Sequence, residues 1–338
     1  MSASGTDPGW LRAGALVLLF LGVLAAEAVA DPPRYSNPIV RQRADPWVYL
    51  HPDAWYYFTA SVPEYDRIEI RRVRTLQGLG SAPAVVAWRE RPDGIMSANV
   101  WAPEIHFIGG AWYIYFAAAR KDAPFDHRIY VLSNDSANPL EGTWIERGRV
   151  DTGWESFSLD ATEFEDRGSH YLVWAQKDYR VPGNSCLYIA RMRNPRTLDG
   201  KAVRISRPDL PWERQGFWVN EGPAALVRNG RVFLTYSASA TDSRYCMGML
   251  TASDSSDLLD PGSWSKSPVP VLKTDEAAGI FGPGHNSFTV GGGWDILVYH
   301  ARSYRDIAGD PLYDPNRDTR VQVVEWNPDG TPRFMPPR

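Results

Sequence analysis

Cysteine is scarce in this sequence, since only Cys186 and Cys246 occur among 338 residues. Two cysteines are too few to hold a small fold together by disulfides, so the chain must be stabilised by an apolar core. An oxidising compartment would allow one bridge if the two residues came close enough, and two buried free thiols are the alternative. We favour the free thiols.

The sequence also lacks a block of basic residues, and its net charge is only -4. This balance argues against nucleic acid or an anionic membrane surface as a partner. The apolar stretch "AGALVLLFLGVLAA" at 13–26 is too short for a comfortable membrane span. Because it follows Arg12 and precedes "AVA" at 28–30, it predicts a signal peptide over residues 1–30. The protein is then secreted or periplasmic, without membrane contact after cleavage, and a retained N-terminal anchor is the alternative.

Long helical periodicity is absent too, and a repeat of strands takes its place. Five aromatic and β-branched segments begin at residues 54, 111, 169, 230 and 293, with spacings of 57, 58, 61 and 63 residues. Each follows a turn signal and a shorter apolar strand, which makes five hairpins. A unit of about 60 residues repeated five times predicts a single all-β domain over residues 31–338, a five-bladed β-propeller. A β-sandwich is less attractive because two packed sheets require no constant period.

An acidic side chain stands at the start of the strand before four of the five aromatic segments, and a histidine stands before the fifth. The aligned positions are Asp45, Glu104, Asp160, Glu221 and His285. In a propeller the first strand of each blade lines the central axis, so these five side chains are expected to converge at one end of it. Each acid could instead cap a neighbouring turn. Four carboxyl groups in a small space raise one another's pKa, which favours a functional site.

Two carboxyl groups, one protonated and one ionised, are what glycoside hydrolysis needs. The acid protonates the leaving oxygen, and the base activates water or attacks directly. Groups on different blades are more naturally separated by roughly 6.5–9.5 Å, which leaves room for a water, than by the shorter distance of retaining enzymes. The pattern therefore favours inversion.

The motifs at these positions resemble those of glycoside hydrolase family 43, and in particular its secreted exo-acting α-L-arabinofuranosidases. They are "RADPWV", "WAPEI", "SLDATEF", "VNEGPA", "GPGHNSF", "LVYHAR" and "TRVQVVEWNPDGTP", in order across residues 36–332. The resemblance implies Asp45 as general base and Glu221 as general acid. It implies Asp160 as the carboxylate that orients the acid and keeps its pKa raised.

Four further positions match less securely. The resemblance implies that His285 holds a metal or a water, although a hydrogen-bonded histidine is the simpler interpretation. Arg320 matches an arginine that reaches the sugar, with an ordinary salt bridge as the alternative. Trp101 could stack on a substrate ring or pack under Glu104. We place Glu104 near the substrate and assign it no role. No cofactor is expected to be required, and a structural calcium near the axis is conceivable.

We therefore expect an enzyme that releases terminal α-L-arabinofuranosyl residues from arabinan or arabinose-decorated plant cell-wall polysaccharides. A β-xylosidase or an endo-arabinanase of the same family is the alternative within the enzyme class. A sugar-binding propeller without catalysis is disfavoured because all three carboxyl groups are present. A protein-interaction propeller is weaker still, since it has no use for acids at the axis.

Overall fold

The computed structural model describes residues 1–2, 5 and 31–336. The signal peptide predicted for residues 1–30 lies almost wholly outside the described residues and stays a prediction. Pro32–Arg338 form one compact unit. Within its described residues, only short 3-10 turns accompany the β-strands. No helix in the described part of the chain is long and apolar enough to cross a membrane.

In the described part of the chain, twenty-one strands form the architecture, and each pairs antiparallel with the next one in its sheet. Blade 1 contains β1 (Ala44–Leu50), β2 (Tyr56–Ser61), β3 (Arg67–Val73) and β4 (Val85–Arg89). Blade 2 contains β5 (Ala98–Ile108), β6 (Ala111–Arg120), β7 (Ala123–Asn134) and β8 (Ile145–Arg149). Blade 3 contains β9 (Ser158–Asp166), β10 (Ser169–Gln176), β11 (Cys186–Asn194) and β12 (Thr197–Ser206). Blade 4 contains β13 (Asn220–Arg228), β14 (Arg231–Ala238), β15 (Cys246–Ser253) and β16 (Ser265–Lys266). Blade 5 contains β17 (Phe281–Gly291), β18 (Trp294–Arg302) and β19 (Asp318–Val323), and a small hairpin of β20 (Glu325–Trp326) and β21 (Pro332–Arg333) follows.

This arrangement confirms the prediction of an all-β, five-bladed propeller. The five aromatic segments are β2, β6, β10, β14 and β18, the second strand of every blade. These strands are buried along almost their whole length. A strand covered on both faces by neighbouring sheets reads as a continuous apolar run, which explains the aromatic and β-branched composition.

The apolar cores lie between the blades. Within the described residues, five buried clusters occur, one at each junction between neighbouring blades. At the junction of blades 3 and 4, for example, Val173 and Leu187 pack with Val232 and Leu250. The two cysteines are free and buried, Cys186 on β11 and Cys246 on β15. The two cysteines therefore add no disulfide to the packing of the sheets.

The N-terminal segment closes the ring by pairing with blade 5. The backbone N–H groups of Ile39 and Val40 donate to Thr319 O at 2.9 and 3.3 Å, and Thr319 N–H donates to Val40 O at 2.8 Å. The Asn37 side chain donates to Val321 O at 2.8 Å and accepts from Val321 N–H at 2.9 Å. Ile39 and Val40 also enter the core between blades 5 and 1. This segment supplies the fourth, outer pairing that β19 would otherwise lack.

The Asn37 amide is the side chain that fixes this closure, so we predict that Asn37→Ala lowers the free energy of unfolding by about 1–3 kcal/mol, the net value of two hydrogen bonds. Denaturant unfolding monitored by tryptophan fluorescence measures the change. Ser36→Ala is the matched control, because Ser36 is exposed in the same segment. If both variants unfold at the same denaturant concentration, closure does not depend on the amide.

Candidate active site

The innermost strand of every blade is interrupted at the same level. Asp45, Ala102, Asp160, Gly222 and His285 have positive φ angles of 53°, 44°, 54°, 54° and 42°. The pairing register with the second strand is irregular at each of these positions. Left-handed backbone is uncommon outside glycine, and such bulges re-aim side chains beside functional sites. Its recurrence on all five inner strands marks one end of the axis as a built site.

This register corrects the alignment made from the sequence. The equivalents of Asp45 are Ala102 and Gly222, not Glu104 and Glu221. Glu221 comes one residue before its bulge and still lines the pocket. Glu104 comes two residues after its bulge, so it lies one layer deeper along the axis and is not among the lining residues.

A pocket of about 690 Å³ opens at this end of the axis. Its floor is polar and comprises Asp45, Asp160, Glu221, His285 and Arg317. Its walls are largely aromatic and include Trp101, Phe125, Phe157, Tyr179 and Phe217. Both the volume and the few convergent polar groups in an apolar surround are typical of a ligand site.

Asp45 is held by contacts on both carboxylate oxygens. Ser61 Oγ donates to Oδ2 at 2.5 Å, and Arg317 Nη1 donates to Oδ1 at 3.4 Å. His300 Nδ1 accepts from the Asp45 backbone N–H at 3.0 Å. Burial acts to raise the pKa of Asp45, but His285, Arg317 and His300 hold it well below its usual range. Asp45 is therefore ionised.

The imidazoles beside Asp45 carry no charge at neutral pH. Burial lowers the pKa of His300 to about 3. Burial also lowers the pKa of His285; the Asp45 charge opposes this effect and the nearby Arg317 charge adds to it. Although burial opposes it, contact with Tyr65 and Asp45 holds the pKa of Arg317 above its usual value. The Arg317 guanidinium is therefore the permanent positive charge in contact with Asp45.

Asp160 and Glu221 together hold a proton, whereas Asp45 is ionised. Burial raises the pKa of Glu221 to about 7; a hydrogen bond from Tyr245 Oη to Oε1 at 2.9 Å opposes the rise and the charge of Asp45 adds to it. Burial, Glu221 and Asp45 raise the pKa of Asp160 well above its usual range. Gly222 N–H donates to Asp160 Oδ2 at 3.0 Å. Because each carboxyl group disfavours ionisation of the other, the two titrate as a pair.

The other residues predicted from the sequence divide between the pocket and its surroundings. Trp101 lines the pocket, and its ring stacks on His127 with centroids 3.9 Å apart. Arg320 lies outside the set of lining residues, buried on β19, and donates to Ser303 Oγ at 2.8 Å. Sequence reasoning missed Arg317, three residues earlier. The only available signal was a second arginine in the same "NRDTR" segment.

His285 lies where a metal was considered. Its Nδ1 is 3.3 Å from Asp45 Oδ1 and 4.0 Å from Asp160 Oδ2. Among the described residues, however, no group of three or more His, Cys, Asp or Glu side chains has a geometry that could hold a metal ion. Calcium takes six to eight oxygen ligands, which can include waters, and a structural calcium near the axis stays a prediction. A metal at His285 stays a hypothesis on which no step below depends.

One ionised carboxylate and one proton-holding pair within a single pocket support hydrolysis of a glycosidic bond, in which an acid protonates the leaving oxygen and a base activates water. The propeller and its pocket thus define a glycoside hydrolase. Residues 35–332 match the sequence model described as "Glycosyl hydrolases family 43". The chain belongs to this family.

Similar proteins carry consistent names. An "Extracellular exo-alpha-(1->5)-L-arabinofuranosidase" of Streptomyces avermitilis is 55% identical over 95% of this chain and 67% of its own length. One of the same name from Streptomyces chartreusis is 55% identical over 85% of this chain and 88% of its own length. An α-L-arabinofuranosidase crystal structure from Lactobacillus brevis has a TM-score of 0.88 at 54% identity, covering 90% of this chain and 97% of that one. The chain therefore spans about two thirds of the Streptomyces avermitilis protein.

Gly222 is the bulge residue that contacts His285, and we predict that Gly222→Ala lowers glycoside hydrolysis by at least about 10²-fold. A Cβ at this position would lie 2.9 Å from His285 Cγ, so the His285 ring would have to shift. Because the ring contacts Asp45, this shift would disturb the position of the Asp45 carboxylate. Gly230→Ala is the matched control, since Gly230 also has positive φ but nothing within 4 Å of the added Cβ. Both variants are assayed on an aryl glycoside, with stability measured in parallel. Equal losses of activity would assign the effect to backbone strain alone.

Proposed function

We propose that this enzyme is an exo-acting α-L-arabinofuranosidase that inverts the anomeric configuration. Its substrates are arabinan or arabinose-decorated polysaccharides of the plant cell wall. The observation that carries the reaction is the contrast between ionised Asp45 and the proton-holding pair of Asp160 and Glu221 in one pocket. The substrate rests on the relatives that are 54% or 55% identical to this chain over the aligned residues.

Asp45 acts as the general base. Its carboxylate is ionised, and each of its oxygens can accept more than one hydrogen bond. The contacts with Ser61 and Arg317 therefore fix its orientation while leaving acceptor capacity for a water. Asp45 removes a proton from that water as it attacks the anomeric carbon, which gives inversion.

Glu221 acts as the general acid. Tyr245 donates to its Oε1, which leaves Oε2 to carry the proton for the leaving oxygen. A pKa of about 7 suits an acid that must be protonated in the enzyme and ionised after transfer. Asp160 supports this role as the second carboxyl group of the pair, because ionisation of either group disfavours ionisation of the other. It also accepts a hydrogen bond from the backbone N–H of Gly222, next to Glu221.

Trp101, His285 and Arg317 are the proposed contacts of the terminal sugar, since all three line the pocket beside the carboxyl groups. Contact with substrate, predicted from the sequence for Arg320 and Glu104, is not proposed further, because neither side chain lines the pocket. The reaction itself requires only the carboxyl groups and a water, so no cofactor is invoked.

The aromatic rim supports a polymeric substrate. Tyr179, Phe217 and Phe125 line the pocket and are 76%, 57% and 53% exposed. Exposed aromatic rings on a monomer commonly mark a binding surface, and their flat apolar faces suit sugar rings. We propose that they contact the remainder of the chain from which the terminal sugar is cleaved. Two relatives are named as extracellular, and we assign the same location to this enzyme.

The acid and base roles predict different responses to two substitutions. Asp45→Asn is expected to abolish hydrolysis of every substrate, because water activation is needed whatever the leaving group. Glu221→Gln is expected to lose about 10²–10⁴-fold on an oligosaccharide and much less on an aryl glycoside, whose leaving group departs with little protonation. Steady-state kcat/KM on both substrates measures the contrast. Equal losses for Glu221→Gln on the two substrates would remove Glu221 from the acid role.

Product analysis tests the remaining claims. Proton NMR within the first minutes of arabinan hydrolysis is expected to show monosaccharide in the β-anomeric form, released from an α-linked substrate by inversion. An initial α-anomer would require a covalent intermediate and would overturn the role of Asp45. Early oligosaccharides would instead indicate the endo-acting alternative, and release of xylose from an aryl β-xyloside but no arabinose would indicate a β-xylosidase.

A further inference from the structure

Four titratable side chains form a continuous row beneath the pocket. Glu104 Oε2 lies 3.2 Å from His106 Nε2, and His106 Nδ1 lies 3.4 Å from Glu163 Oε2. Glu163 Oε1 lies 2.6 Å from His170 Nδ1. Acids and imidazoles alternate along the row, so every member contacts a partner of opposite type. The catalytic steps above use none of them.

The row runs from the layer below the catalytic carboxyl groups to the protein surface. The side chains of Glu104, His106 and Glu163 are 4%, 3% and 9% exposed, whereas that of His170 is 40% exposed. His170 lines a small surface cavity together with Arg193. The inner end of the row is therefore shielded from solvent and its outer end is not.

Glu104 lies next to the strand that carries Asp160. It follows the bulge at Ala102 by two residues, and Thr162 follows Asp160 by two residues, so both belong to the layer below the pocket floor. The inner strands β5 and β9 are in contact, and Thr162 acts across them to lower the pKa of Glu104. The step of two residues from Thr162 to Asp160 is about 6.6 Å along the strand. The charge of Glu104 in the layer below contributes to the raised pKa of Asp160, through protein rather than water.

Glu104 is the member of the row whose charge changes near neutral pH. Burial raises the pKa of Glu104 to about 7, opposed by its contact with His106. Burial acts to lower the pKa of His106, but Glu104 and Glu163 raise it to about 9. Burial acts to raise the pKa of Glu163, but His106 and His170 hold it below its usual range.

The aromatic groups that pack against the row add no charge. Tyr115 on β6 and Tyr49 on β1 face Glu163, and burial raises the pKa of both phenols, so they stay neutral. The Trp47 ring covers His106 with centroids 4.7 Å apart, and its Nε1 donates to Ile105 O at 2.8 Å. The apolar cover keeps water from screening the Glu104 charge.

We propose that Glu104 is a positioning residue for acid catalysis: its carboxylate, held by His106 beneath Asp160, helps the Asp160–Glu221 pair keep the proton that the general acid donates. This inference rests on the acid role proposed above for Glu221, and not on which sugar the pocket accepts. When Glu104 ionises, its negative charge opposes loss of the proton from the pair, so the enzyme stays active to higher pH.

The test is the dependence of kcat/KM on pH for Glu104→Gln. The alkaline limb is expected to move to lower pH by about 0.5–1 unit, since a negative charge near the pair is removed while the side-chain shape is kept. The substrate is an unactivated arabino-oligosaccharide, or whichever unactivated glycoside the enzyme hydrolyses. The test therefore remains valid even if the enzyme acts on a sugar other than arabinose. Asp160→Asn provides the comparison, with a larger shift in the same direction.

His106→Gln is the second variant. This substitution removes the charge of His106, and it also removes that of Glu104, because Glu104 without its imidazole partner stays protonated. The alkaline limb is therefore expected to move to lower pH, but by less than in Glu104→Gln. Glu141→Gln is the matched control: Glu141 is exposed in blade 2, so the limb should not move.

An alkaline limb that does not move in folded Glu104→Gln would overturn the proposal and leave the row a purely structural link between blades 2 and 3. A shift equalled by Glu141→Gln would overturn it as well, because it would reflect overall charge. If Glu104→Gln does not fold, an alkaline limb that does not move in His106→Gln would overturn the proposal.

Discussion

The contact between Asp45 and Arg317 is the interaction on which the chemistry of this pocket depends. Three carboxyl groups at the end of one axis cannot all ionise in a buried setting, so something must decide which of them does. The Arg317 guanidinium and the Ser61 hydroxyl stabilise the charge on Asp45. That charge then raises the proton affinity of Asp160 and Glu221. One fixed cation thereby separates the base from the acid.

The backbone conformation of the inner strands places the groups that distinguish the base from the acid. Left-handed residues on the inner strands turn Asp45, Asp160 and His285 toward one point, and Gly222 supplies the space for the His285 ring. A strand without the bulge would keep a strict alternation of inward and outward side chains and would deliver fewer groups to the same level. Two of the three carboxyl groups, Asp45 and Asp160, thus owe their position to the same backbone feature.

The fold was largely predictable from the sequence because each blade repeats a strand buried on both faces, and burial imposes a visible composition. The three carboxyl groups could be located for the same reason, since they stand at fixed distances before those strands. The exact position of each residue along the propeller axis was not predictable. A bulge changes the register by one residue without changing the composition, so Glu104 and Glu221 resembled equivalents of Asp45 although Ala102 and Gly222 hold those places. Arg317 comes from the segment before β19, which has no periodic pattern that would predict the direction of a side chain.

The closure of blade 5 has a consequence for how the chain reaches this structure. Ile39 and Val40 pair with Thr319, a partner about 280 positions later in the chain. Contacts between such distant residues form slowly, because a large loop must close before they stabilise anything. A ribosome makes residues 37–40 long before β19, so four blades can assemble before the first segment meets its partner. Completion of the ring is therefore a late folding event, and a chain interrupted before β19 exposes unpaired strand edges that invite aggregation.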